Sequence, residues 1–114
     1  ELARGERKAE ALYYKAMFEN EAGDHKESNQ IVQEITKNYS NYRKFSLQSL
    51  VLMADNFYRL DDAYQANYIL ENVVEKTDDF PEVQQKAQEL LQEIKSEAAK
   101  TNSSVESEEA DDGE

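Results

Sequence analysis

Residues 47–77, LQSLVLMADNFYRLDDAYQANYILENVVEKT, decide how the chain folds. Leu47, Leu50, Ala54, Phe57 and Tyr58 recur at steps of three and four. After Asp61-Asp62 the same period restarts with Ala63, Ala66, Ile69, Leu70, Val73 and Val74. Each stripe marks one face of an amphipathic helix. Neither helix can bury its stripe alone, so the spacing predicts an αα-hairpin with a polar corner at Asp61-Asp62.

Working outward, the same pattern lies upstream. Ala9, Leu12, Tyr13, Ala16, Met17 and Asn20 are in helical register, and Gly23-Asp24 interrupts them. Gly23 suits the left-handed residue that closes a helix, and Asp24 can cap the next one. Ser28, Ile31, Val32, Ile35 and Tyr39 continue as a second stripe, and Ser40-Asn41-Tyr42-Arg43 link it to the central hairpin. Downstream, Pro81 fits the first turn of a last helix, with Asp79 or Phe80 just before it. Val83, Ala87, Leu90, Leu91, Ile94 and Ala98 mark its apolar face, and fraying is expected near Lys100.

The two hairpins match at an offset of 38 residues, from Ala16 to Ala54. The same offset pairs Leu12 with Leu50, Gly23-Asp24 with Asp61-Asp62, Ser28 with Ala66, Ile31 with Ile69, Val32 with Leu70, Ile35 with Val73 and Tyr42 with Phe80. It places Leu90 and Leu91 over Leu52 and Met53. Repeats of helix–turn–helix at this length signify units that bury one another's faces. The expectation is an all-α fold of about five helices, two hairpins and a capping helix. Its boundaries are a frayed lead-in over 1–8, a first unit over 9–39, a second over 44–77, the capping helix over 82–100, and an acidic tail over 101–114.

At these residues the chain resembles the tetratricopeptide repeat family. Ala16 and Ala54 match that family's small residue midway along the first helix. Gly23-Asp24 matches its corner and Asp61-Asp62 does so more loosely. Ser28 and Ala66 match the small residue early in the second helix, and Val32 and Leu70 the bulky one after it. Departures are Leu12 and Leu50 where an aromatic is usual, Ile35 and Val73 where a small residue is usual, and Pro81 three residues late. The resemblance covers roughly residues 9–98 and implies an α-α superhelix whose first helices line a concave groove. Another family of α-α solenoid or bundle is the alternative.

Carried over by position, the groove holds Tyr13, Met17, Asn20 and Glu21 from the first unit and Gln48, Val51, Asp55, Tyr58 and Arg59 from the second. Tyr, Met and Arg are frequent at protein-recognition surfaces. The competing role for Tyr13, Met17 and Tyr58 is packing between units. Tyr39 and Tyr42 are candidates on the opposite face or loops, whereas Tyr64 and Tyr68 are expected to pack between helices. The paired Lys and Asn by which one subclass grips a terminal carboxylate would fall at Tyr13 with Met17 and at Val51 with Asp55, so that clamp is absent.

Composition bounds the rest. A 114-residue chain holds one small domain, and its 39% hydrophobic content is low for a globule. Three Gly and one Pro leave few helix breakers. The net charge of −12 argues against nucleic acid and anionic lipid. Residues 101–114 carry six acids and no base, with Val105 their one sizeable apolar residue, which predicts disorder. There is no cysteine, and no apolar run long enough for a membrane span.

Catalytic chemistry finds no motif. His25, the single histidine, is expected on the solvated surface beside Asp24, and Asp61-Asp62 and Asp78-Asp79 fall at helix boundaries where Asp caps. No metal or cofactor is therefore expected. The reading is a non-catalytic scaffold that binds a protein or peptide in its groove; the alternative is a purely structural C-terminal cap of a longer solenoid. The helical opening residues and absent initiator Met suggest a piece of a longer protein. The overall style resembles repeat proteins of bacterial envelopes, which favours the periplasm, with the cytoplasm as the alternative.

Overall fold

The computed structural model describes the backbone of residues 3–112 and the side chains of residues 3–101. Five helices follow in order: α1 (Arg4–Glu21), α2 (His25–Asn38), α3 (Arg43–Arg59), α4 (Ala63–Lys76) and α5 (Pro81–Asp112). Among the described residues there is no strand, and no helix is long and apolar enough to cross a membrane.

The architecture is all-α and built of two hairpins and one further helix. α1 packs on α2 and α3; α3 packs on α2, α4 and α5; α4 packs on α5. α2 and α4 do not meet, so α1, α3 and α5 form one layer and α2 and α4 the other. Ala16, Ile31, Val32 and Met53 bury one core cluster. Leu47, Ala54, Ala66, Leu70, Val73, Val83, Ala87 and Ile94 bury the next. Leu50, Phe57 and Ile69 pack against both and join them. Ala16, Ala54 and Ala66 are wholly buried, as their place between closely approaching backbones requires.

The 38-residue offset is written into the backbone. Asp24 N–H donates to the Glu19 carbonyl and Asp62 N–H to that of Phe57, both at 2.8 Å. Gly23 N–H reaches the Asn20 carbonyl and Asp61 N–H that of Tyr58, both at 3.1 Å. At the linkers, Tyr42 N–H reaches the Tyr39 carbonyl at 3.0 Å and Phe80 N–H that of Thr77 at 2.9 Å. Gly23 has φ +90° and its counterpart Asp61 φ 65°, so both corners turn through the left-handed region that glycine occupies most easily. Pro81 opens α5, where a missing N–H leaves no carbonyl unpaired.

Several expectations are corrected. The lead-in over 1–8 is helical from Arg4, and Gly5 lies so close to the Tyr42 ring that a Cβ there would clash with its hydroxyl. Glu1 and Leu2 lie outside the described residues. Asp24 holds the N-cap position of α2 without a side-chain cap bond, whereas Asp62 accepts from Gln65 N–H at 3.1 Å. Tyr64 and Tyr68 do not pack between helices; they are 81% and 61% exposed on the outside of α4. The α5 backbone continues past Lys100 to Asp112, because no Gly or Pro interrupts residues 82–112. Among the described side chains of α5 the last buried one is Ile94, and residues 95–101 are exposed. Gly113 and Glu114, the end of the expected disordered tail, lie outside the described residues.

Candidate functional site

The layer formed by α1, α3 and α5 carries a cavity of about 210 Å³. Tyr13 reaches it from α1, Gln48, Val51, Leu52 and Asp55 from α3, and Val83, Lys86 and Leu90 from α5. The helical period accounts for the convergence: Val51, Leu52 and Asp55 lie three, four and seven residues after Gln48, hence on its side of the helix. Apolar Val51, Leu52, Val83 and Leu90 contribute the greasy wall, and the Tyr13 hydroxyl, Gln48 amide, Asp55 carboxylate and Lys86 ammonium supply the polar groups.

Tyr13 is held by its neighbours. Its ring centroid lies 6.5 Å from that of Phe45 and 5.6 Å from that of Tyr14, both tilted. Burial raises its phenol pKa, and the neighbouring Tyr14 adds to the rise, so the hydroxyl stays protonated and can donate. Asp55 is oriented by Asn20, whose Nδ2 donates to Oδ2 at 2.8 Å, and by Arg59, whose Nε lies 3.5 Å from Oδ1. Lys86 is exposed and makes no ion pair among the described residues.

The other predicted groove residues do other work. Asn20 donates its second amide hydrogen to Asn56 Oδ1 at 2.8 Å, so its amide hydrogens are spent inside the fold. Arg59 lies 5.8 Å over the Tyr58 ring, and neither reaches the cavity. Met17 is half-buried and Glu21 exposed, also outside the cavity lining.

Asn56 is the centre of a polar cluster that sequence reasoning missed. It is fully buried, and its Nδ2 donates to Ser28 Oγ at 2.8 Å and Asn29 Oδ1 at 2.9 Å. Ser28 Oγ in turn donates to the Ala16 carbonyl at 2.7 Å. With both Asn56 donors used, its Oδ1 accepts from Asn20 and from His25 Nδ1, 2.9 Å away. His25 is thus a structural partner of α3, correcting the expectation of a solvated surface residue. Asn56, between Asp55 and Phe57, gave no periodic signal here, since its partners come from another unit.

Val83, Lys86 and Leu90 were also missed, because the apolar stripe of the last helix marks it only as a capping helix. A signal was present: the 38-residue offset places Lys86 at the position of Gln48 and Leu90 at that of Leu52. Compared with known proteins, the chain matches no family model, no curated protein and no solved structure.

Proposed function

We propose that the chain is a protein-binding scaffold of tetratricopeptide-like design that receives a peptide or a segment of a partner protein on the α1–α3–α5 face. The observation that carries this is the convergence of Tyr13, Gln48, Val51 and Asp55 with Lys86 on one small, largely apolar cavity. Pockets of this character, apolar with a few fixed polar groups, are where ligand side chains anchor. Burying one apolar side chain contributes about 1.5–3 kcal/mol, enough to act as a hot spot but not to bind alone. The flanking Gln48 amide would serve a partner's backbone, and the exposed Lys86 ammonium an acidic or carbonyl group beside the anchor. The machinery is rigid display: Phe45 and Tyr14 fix Tyr13, and Asn20 and Arg59 fix Asp55, so little side-chain entropy remains to be lost on binding.

The test is selection of a random peptide library on the immobilised chain, followed by calorimetry of enriched peptides. The reading expects peptides with a shared apolar anchor whose affinity drops when Val51→Glu or Lys86→Glu is introduced. Enriched peptides indifferent to both substitutions would contradict it.

A further inference from the structure

The internal repeat gives a reference for every surface of α1. Ala11, Tyr14 and Phe18 correspond to Ser49, Leu52 and Asn56 of α3, and to Ala87, Leu90 and Ile94 of α5. In α3 this face is seated on the preceding hairpin: Leu52 packs against the cluster of Ala16, Ile31 and Val32, and Ser49 and Asn56 are fully buried. In α5 it is seated on α3–α4: Ala87 and Ile94 lie in the cluster of Ala54, Ala66 and Leu70, with Leu90 packed beside them. On α1 the same face keeps its small–large–large sequence yet is bare, with Tyr14 55% and Phe18 66% exposed. Two large aromatic residues four apart on one helix make an apolar patch that water-facing helices rarely carry.

We propose that the Ala11–Tyr14–Phe18 face is a stacking surface for one further helical hairpin, joined ahead of α1 as α1–α2 is joined ahead of α3. The proposal continues an interface that the chain already makes twice. The chemistry of the incoming hairpin follows from position 18. Asn56 requires polar Ser28 and Asn29 opposite it, whereas Ile94 is buried in one cluster with apolar Ala66 and Leu70. Phe18 is of the second kind, so its partner presents small and aliphatic residues, as α4 does. Each repeat contributes to stability mainly through such neighbour interfaces.

The test adds that hairpin. Residues 43–80, which natively seat α5, are fused directly in front of Gly5, because Gly5 corresponds to Pro81 in the repeat. The parent and the chimera are nitrated with tetranitromethane and the modified tyrosines are quantified by mass spectrometry, with exposed Tyr64 of the original α4 as the internal standard. The expected result is loss of Tyr14 nitration in the chimera, its return on Phe18→Asp, and a higher Tm than the parent's. Tyr14 that reacts equally in parent and chimera would overturn the proposal. So would a dimer of the parent chain that Phe18→Glu dissociates, which would put a second copy on this face instead.

Discussion

Asn56 and Ile94 hold the same position on successive helices, and the two asparagines that correspond in the hairpins before them, Asn29 and Asn67, fare in opposite ways. Asn56 Nδ2 satisfies Asn29 Oδ1 at 2.9 Å, whereas at Ile94 there is no donor, and the Oδ1 of Asn67, the counterpart of Asn29, is buried without a hydrogen-bond partner. One repeat is polar-locked and the next is not. A buried unpaired acceptor costs about 1–3 kcal/mol. Asn67→Ala removes it and supplies a better helix former, so urea denaturation should show a gain of about 1 kcal/mol in unfolding free energy.

Asn56→Leu should do the reverse. It strips Ser28, Asn29, Asn20 and His25 of a shared partner and forces a larger apolar group among polar ones. Loss of a buried network of this kind costs about 2–4 kcal/mol. Because the cluster ties α2 to α3, amide exchange should speed up in both helices before it does in α5.

The corners provide a matched pair of backbone tests. A Cβ at Gly23 would meet no atom within 4 Å, so Gly23→Ala isolates the cost of φ +90°. A loss of about 1 kcal/mol in thermal or urea unfolding is expected. Asp61 already bears that conformation at φ 65°, and Asp61→Gly relieves it. The variant should therefore be no less stable than the parent, despite the greater freedom that glycine gives the unfolded chain.

Two carboxylates should give opposite pH signatures. Burial, then the hydrogen bond with Asp24 and repulsion from Asp24 and Glu27, hold Glu19 above the ordinary carboxylate range. Its folded form binds a proton more tightly than its unfolded form, so its stabilising contribution is full in acid and lost as pH rises through the folded value. Glu19→Gln should stabilise the chain at neutral pH and leave it unchanged in acid. Asp79 is the converse: the Arg43 hydrogen bond holds it below its usual range. Its contribution is present above the unfolded value and lost as pH falls through the folded one, so Arg43→Ala should flatten the acid limb of a Tm–pH curve.

Much of this was legible in the residues because it is periodic. The stripes on Ala16, Val32, Ala54 and Leu70, the turn at Gly23 and the start at Pro81 each follow from local chemistry, and the structure places them as that chemistry requires. What was not legible depends on neighbours far along the chain. Asn56 stands outside the apolar stripe and carries no signal of its own until α2 is laid against it. Tyr64 and Tyr68 read as packed until α4 proves to have no helix over its outer side. Of the α1–α3 cavity lining, Tyr13, Gln48, Val51 and Asp55 came from family position and Leu52 did not, while Asn20 and Arg59, placed in the groove in the same way, brace Asp55 from outside the cavity. Side-chain partnership, unlike helical phase, cannot be counted off a sequence.

The direct test of the scaffold reading is residue-resolved mapping of a bound peptide. The ¹⁵N-labelled chain is titrated with a peptide enriched in the library selection, and amide shift changes are followed. The account predicts changes centred on Tyr13, Gln48, Val51, Asp55 and Lys86. Changes centred instead on Tyr64 and Tyr68, with the α1–α3–α5 face silent, would contradict it.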